Sequence, residues 1–457
     1  MHILILAGFM IAMTFGEMPT PGFPAWVILL GVAGYLCMSG LLSCANTSIY
    51  LRAIRKRGSS MPADRRRHKR LAMLTKLWLL GGLAGLMFLG YGGWTGRKLG
   101  LDSWPLIGKV AMVAPFVLAL LLVWATDYPY YRQNWRMHSS RPGWSLRQYL
   151  EYNTRHSLLF ISVPVALIIL LADCLMLYVE PMLPATWPDY LLSIATFVLA
   201  ATVLCLSPLV IVRIWKTMPM PPGPLKHRLE KTCRDLGLKY RDILIWRSEG
   251  VVTNAAVLGV AGPLRYILLS DGLIDQADDR DIEAIFAHEA GHILSHHIFY
   301  AVIFTLGLAS LSVTAAYGIV SILGWSDWVA EMMAVGALAG VWGGAFGWVS
   351  RRFERQSDVI GAWVSGQREA DDDPDLITHE GAAIFARALQ RIGQLNGIDP
   401  RRWNWRHGSI ANRIAYILWL GGSGGTRLLA DRTVRRIKII SWIMLLVAIL
   451  TAGVVWG

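Results

Sequence analysis

The stretch AIFAHEAGHILSHH, residues 284 to 297, sets two histidines four positions apart with a glutamate directly after the first. On a helix of 3.6 residues per turn, positions four apart lie nearly above one another. His288 and His292 can therefore direct a ring nitrogen each at one ion, while Glu289 stands beside the ion rather than on it. That division of labour, two neutral imidazoles as ligands and a carboxylate free to move a proton, is the H-E-x-x-H pattern of zinc hydrolases. The competing reading is a histidine-rich polar face packed against loops. Two histidines do not complete a catalytic zinc site, which takes a third protein ligand and leaves the fourth position open. His296 and His297 are close in sequence, but His296 sits too far along the same helix. Both read as helix-end residues that complement the helix dipole.

A better third ligand lies in SRRFERQSDVIGAW, residues 350 to 363. Glu354 and Asp358 share one helical face four residues apart. The first can bind a metal, and the second can hold a ligand or a structural arginine from behind. The rival reading is a salt-bridged helix at the membrane surface, with Arg351, Arg352 and Arg355 as partners.

Whether Glu354 reaches the histidines depends on the elements between them. The 457-residue chain is 54% hydrophobic and only 16% charged, against about a quarter charged for soluble proteins. The deficit comes from long apolar runs at about 25–45, 72–94, 105–126, 158–179, 190–212, 301–323, 329–349 and 437–456. Each is long enough for a helix to cross about 30 Å of hydrocarbon. Residues 1–16 are apolar but short, and lack the basic start and small-residue cleavage site of a signal peptide; they read as a short first span. Two crossings separate His292 from Glu354, so the chain returns to the side it left. A single crossing would forbid the site.

The net charge of +13 invites a nucleic-acid reading, but its distribution argues for a membrane. Nine lysines or arginines fall in residues 46–70, and Arg132, Arg136, Arg141, Arg147 and Arg155 in the 127–157 loop. The 180–189 and 324–328 segments carry none, and 95–104 is a mildly basic exception. This alternation places the basic loops in the cytoplasm, with acidic lipid headgroups as partners for 46–70 and no nucleic acid. Tryptophans gather near the proposed span ends, as interfacial anchors do. The five cysteines are scattered and outline neither a disulfide framework nor a C-x-x-C pair.

The expected organisation is mainly α: a polytopic helical membrane protein carrying a zincin-like α+β catalytic domain interrupted by two transmembrane helices. Residues 1–215 form a multi-span region, 216–299 the first catalytic part, 300–349 two spans, 350–436 the second catalytic part, and 437–457 a last span. Within the first part, DILIWR (242–247) and RYILLSD (265–271) read as strands, and NAAVLG (254–259) as a short edge strand. The motif helix starts near Asp278 or Asp279, with acidic residues in its first turn.

HEAGH, SRRFERQSD and HGSIANRI, together with the upstream NAAVLG and SDGLI (270–274), resemble in order and approximate spacing the zinc membrane-protease family that includes the CAAX prenyl endoprotease and the HtpX heat-shock protease. The resemblance covers roughly 219–420. It implies one zinc ion held by His288, His292 and Glu354, with Glu289 as general base. It also implies that Asp358 pairs with Arg413, that His407 helps stabilise the oxyanion, and that Asn254 and Ala255, with the rest of the 254–259 edge, hold the substrate backbone by strand addition. Two positions depart from the family pattern: Ser357 stands for an alanine, and HGS for H-P.

The expected activity is that of an integral-membrane zinc metalloendopeptidase acting on membrane-associated or misfolded proteins. Its setting would be a bacterial cytoplasmic membrane, with the catalytic segments on the cytoplasmic side. Intramembrane proteolysis is disfavoured because the motif helix opens with DDRD and SDGLI precedes it. A catalytically silent zinc-binding sensor or scaffold is the alternative from another class. Lys109 and Asp173 fall within proposed spans, where charges can mark a transport path; a structural ion pair is the favoured reading.

Overall fold

A computed structural model describes the chain apart from residues 17–21, 59–60, 139–141, 185–189, 326–328, 330–332, 334–335, 338–339, 341, 367–374 and 457. It divides into two compact units, Met1–Trp215 and Lys216–Gly457.

The first unit is helical throughout its described residues. Its elements are α1 (His2–Gly16), α2 (Ala25–Arg57), α3 (Pro62–Phe88), α4 (Ile107–His138), the long helical run α5 (Leu146–Met182) and α6 (Tyr190–Ile214). The side chains that pack here are apolar over many turns. Leu79, Leu83, Met87, Phe116 and Leu120 are almost fully buried, and between spans such packing is held by van der Waals contact rather than by exclusion of water. The apolar run expected at 72–94 ends its helix at Phe88, because Gly90 adopts a left-handed φ of 91°. Lys109 and Asp173 meet at 2.9 Å, and the second Asp173 oxygen accepts from the Leu106 backbone N–H at 2.9 Å. The two charges neutralise each other and cap the start of α4, the structural role favoured above.

The second unit begins with a small sheet. Strands β1 (Thr217–Pro219), β2 (Asp242–Trp246), β3 (Ala255–Leu258) and β4 (Tyr266–Ser270) take the spatial order β1-β2-β4-β3. β2 and β4 are parallel, and the two outer pairings are antiparallel. α7 (Pro224–Asp235) joins β1 to β2, and α8 (Asp271–Gln276) follows β4, capped by the Ser270 hydroxyl on the Leu273 N–H. Next comes α9 (Asp279–Leu294), which carries the histidine motif. It buries Ile282, Phe286 and Ala290 against Ile243, Ile267, Leu269 and Leu273.

After α9 come α10 (His297–Leu323), α11 (Gly347–Gly366), α12 (His379–Leu395), α13 (Ile410–Gly422) and α14 (Leu428–Trp456). Among the described residues, six helices are long and apolar enough to cross a bilayer: α2 to α6, and α10. The apolar run 437–456 lies in α14, and 1–16 forms the 15-residue α1. Of the proposed span at 329–349, eight residues lie outside the described ones, and its end forms a π-helical turn, Trp342–Phe346, that leads into α11. The acidic run at 368–375 lies largely outside the described residues. Helices of this length and composition, with a small sheet beside them, make a multi-pass membrane protein with an α+β second unit.

Candidate metal centre

Three devices fix α9. Asp278 occupies its N-cap position, where the backbone carbonyl accepts from Ile282, although the side chain makes no capping hydrogen bond. Asp281, buried in the first turn, accepts from both Nε and Nη2 of Arg387 at 3.0 and 2.9 Å, which ties α9 to α12. Gly291 allows α11 to approach closely: a Cβ there would meet the Ser357 Cα at 3.1 Å. Gly361 does the same from the α11 side, where a Cβ would lie 2.5 Å from the Phe385 ring and 3.2 Å from the Ala284 carbonyl. The packed pair sets the histidines of α9 opposite the acidic face of α11.

His288, His292 and Glu354 come together there. The two Nε2 atoms stand 3.4 Å apart, and each lies 3.7 Å from a Glu354 carboxylate oxygen, Oε2 for His288 and Oε1 for His292. Ligands about 2.0–2.1 Å from a tetrahedral zinc ion are separated by about 3.3 Å. One ligand atom from each residue lies within 4.8 Å of the other two, with each histidine nearest a different oxygen of Glu354, so the group can gather on one ion. The donors, two imidazole nitrogens and one carboxylate, match a catalytic zinc site with its fourth position open. Among the described residues this is the only such group with ligand atoms within 4.8 Å of one another.

Each histidine is held from its other ring nitrogen. His288 Nδ1 lies 2.9 Å from Asp358 Oδ1. Asp358 in turn accepts from Arg413 through both oxygens, at 2.8 Å from Nε and 2.5 Å from Nη2. Arg413 Nη1 reaches Glu354 Oε2 at 3.4 Å. The pairing of Asp358 with Arg413 is thus present as a bidentate contact, the strong geometry for guanidinium and carboxylate. His292 is held differently. Its Nδ1 faces His297 Nδ1 at 2.9 Å, and His297 Nε2 meets Gln356 Oε1 at 2.8 Å.

His297 therefore corrects the sequence reading, which made it a simple helix-end residue. His296 takes a left-handed φ of 55° between α9 and α10. That break swings the next side chain back under His292, where it is buried and stacked on Phe353 with ring centroids 4.2 Å apart. A straight helix would not have brought position 297 there. His296 itself is exposed.

His407, expected beside the oxyanion, lies against Glu354 at the same cleft. Its Nδ1 contacts Glu354 Oε1 at 2.7 Å, so it engages the carboxylate and keeps Nε2 for other contacts. It reaches that position from the loop before α13, where Asn404 Oδ1 accepts from the backbone N–H groups of Arg406 and His407.

The charges respond to this arrangement. Burial raises the Glu289 carboxyl above the usual carboxylate range, and nearby Glu354 adds to the shift. For Glu354 burial alone would do the same, but the His407 hydrogen bond, His288 and Arg413 outweigh it and hold it low. Burial pushes His292 down to about 3, helped by the neighbouring His288. Burial would also lower His288, but the Asp358 hydrogen bond outweighs it and raises the ring.

The three ligand atoms open on a cleft of about 380 Å³. Glu289, Phe385, Arg406, His407 and Arg413 share its lining, as do Asn254 and Val257 from the sheet. β3 lies at the edge of the sheet. Ser270 N–H donates to the Asn254 carbonyl at 3.0 Å, and Asn254 N–H donates to Ser270 Oγ at 2.9 Å. Antiparallel alternation then turns Ala256 and Leu258 towards β4, and directs the backbone groups of Ala255 and Val257 outward. The Ala255 N–H is engaged by Asn254 Oδ1 at 3.0 Å. Gly259 closes the strand with a φ of 103°; a Cβ there would sit 2.2 Å from the Leu264 carbonyl, so only glycine fits.

With this geometry in view, comparisons with known proteins carry weight. No curated protein sequence matches the chain. The crystal structure of S. mikatae Ste24p shares its fold with a TM-score of 0.50 and 16% identity, covering 87% of this chain and all of that one. Residues 220–415, which hold β2, β3, β4 and every cleft residue named above, match the model of peptidase family M48. Over that segment the chain is similar to peptidase family M48, and its fold is similar to that of a solved member of the Ste24p type.

Proposed function

We propose that this protein is a zinc-dependent endopeptidase that hydrolyses peptide bonds of membrane-associated or misfolded proteins, with His288, His292 and Glu354 as metal ligands and Glu289 as general base. The observation that carries the proposal is the convergence of three ligand atoms, a base of raised proton affinity and a sheet edge on one cleft.

His288, His292 and Glu354 would hold a zinc ion, which would supply Lewis acidity to a water molecule and the scissile carbonyl. The chain's own residues do the rest. Glu289 accepts the attacking water's proton and returns it to the leaving amine nitrogen, a task suited to a carboxylate whose proton affinity burial has raised. His407 fixes the Glu354 carboxylate through Nδ1, and its Nε2 is the atom able to donate to the developing oxyanion. Asp358 and Arg413 keep His288 in the tautomer that presents Nε2. The outward carbonyl of Ala255 and the N–H and carbonyl of Val257 pair with an extended substrate. Asn254 holds the end of that edge, and this mode of binding depends little on substrate side chains.

We further propose that the catalytic segments face the cytoplasm of a bacterium, on the positive-inside distribution of the loops. α2 runs 33 residues, about 50 Å, and outreaches a hydrocarbon core of about 30 Å. Its basic end and the start of α3 leave Arg52, Arg55, Lys56, Arg66, Arg67 and Arg70 exposed, a surface suited to acidic headgroups.

The deciding experiment compares the parent protein with Glu289→Gln for zinc content and for cleavage of an unfolded membrane-protein substrate. Zinc should stay stoichiometric while cleavage falls by about 10²–10⁴-fold, the range for loss of a general base. Cleavage retained by the variant sinks the assignment of Glu289. Zinc in the parent with no cleavage of any such substrate favours a silent zinc-binding sensor instead.

A further inference from the structure

The contact behind His292 continues beyond His297. Gln356 Oε1 meets His297 Nε2 at 2.8 Å, and Gln356 Nε2 donates to Asp431 Oδ1 at 2.5 Å. Four side chains from four helices thus form one line: His292 of α9, His297 of α10, Gln356 of α11 and Asp431 of α14. His297 is 3% exposed and Gln356 6% exposed, so bulk water does not satisfy these atoms.

The direction of every bond in the line follows from its far end. An ionised aspartate can only accept, so Gln356 must turn its NH₂ towards Asp431 and its carbonyl oxygen towards His297. His297 must then carry its proton on Nε2. As a neutral imidazole, it has Nδ1 left as an acceptor. His292 must donate from its own Nδ1, and its lone pair is thereby fixed on Nε2, the atom that faces His288 Nε2 and Glu354. We infer that Asp431, Gln356 and His297 form a positioning relay that locks His292 in its metal-binding tautomer from α14, three side chains away.

The two histidines are therefore set by different means. His288 has a carboxylate directly behind it, whereas His292 has a neutral acceptor whose polarity is borrowed from Asp431. The relay also joins the centre to α10 and α14, whose backbones approach so closely that a Cβ on Gly307 would lie 3.1 Å from Leu445 N. Phe304 and Leu308 of α10 share a buried cluster with Val434 and Ile437 of α14. The packing of these two helices thus holds the donor and acceptor ends of the relay in register.

The inference rests on the zinc reading above, and its test keeps the two apart. Zinc affinity is measured by chelator competition, and the Co²⁺-substituted protein supplies an absorption spectrum of the ligand field. Folding of each variant is checked by size exclusion in detergent. Asp431→Lys turns the terminal acceptor into a donor, which flips the Gln356 amide and leaves His292 protonated on Nε2. Zinc affinity should fall by about 10–100-fold, the usual effect of losing a partner behind a ligand. Adding Gln356→Glu restores an acceptor facing both the introduced ammonium and His297, and affinity should return to within about threefold of the parent.

His297→Phe keeps the stacking on Phe353 but removes the acceptor, and should weaken zinc similarly. In that background Asp431→Lys should have no further effect. An additional loss there would mean that the introduced charge acts through its field and would overturn the relay, as would failure of the Gln356→Glu rescue. A parent that binds neither zinc nor Co²⁺ would instead remove the metal reading itself.

Discussion

Removing the acid at 358 tests the centre's architecture and its chemistry separately. Asp358 is 2% exposed and its partner Arg413 16% exposed at the side chain. Replacing Asp358 with leucine leaves Arg413 without its bidentate acceptor, with only the 3.4 Å contact to Glu354, and leaves His288 Nδ1 with no partner at 2.9 Å. Breaking a buried pair from one side costs about 3–5 kcal/mol, because the remaining charge stays in a poorly solvating interior. For a unit of this size that corresponds to a fall in unfolding temperature of about 6–20 °C. The assay is thermal unfolding in detergent, with zinc affinity measured on the same samples. Adding Arg413→Met removes the stranded charge and should recover most of the lost stability, since apolar replacements of buried ion pairs are often neutral. Zinc affinity should remain about 10–100-fold down in both variants, because His288 still lacks its acceptor. A single variant melting within about 2 °C of the parent, or a double variant with parental zinc affinity, would refute the reasoning.

Two further outcomes are expected. Val257→Pro removes an outward N–H from β3 but no bond to β4, so stability and zinc content should hold while kcat/KM for an extended peptide falls about tenfold, the equivalent of one lost hydrogen bond; steady-state kinetics read this directly, and an unchanged kcat/KM would exclude strand addition along this edge. Replacing Arg52, Arg55, Arg66 and Arg67 by glutamine should reduce the acidic lipid that co-purifies, as seen by mass spectrometry, with neutral lipid unaffected; equal loss of both would show that the basic hairpin does not discriminate by charge.

Legibility in the sequence followed how local each signal was. The spacing of His288, Glu289 and His292 is a helix-face argument and needed no tertiary information, and the helix is there. The β-branched runs at 242–247 and 265–271 gave β2 and β4, and NAAVLG gave an edge strand closed by its glycine. β1 was missed because three residues, the last of them Pro219, carry no period. Glu354 was reachable by counting crossings, a parity argument that ignores geometry. The partners Asp358 and Arg413 came from family resemblance, and their contact is present. His297 was misread because position i+5 faces away on a straight helix. A single left-handed residue at 296 reverses that, and sequence patterns seldom reveal such a break. Asp431 was invisible for a simpler reason: it lies 139 residues beyond His292, and only the fold brings them onto one line.

The separation of the ligands along the chain also orders the protein's birth. A nascent chain emerges with His288 and His292 long before Glu354, and α10 lies between them. Until that helix has inserted and the later carboxylate has been synthesised, no competent centre exists. The ligand group is thus split in time as well as along the chain, its two halves parted by the making of α10.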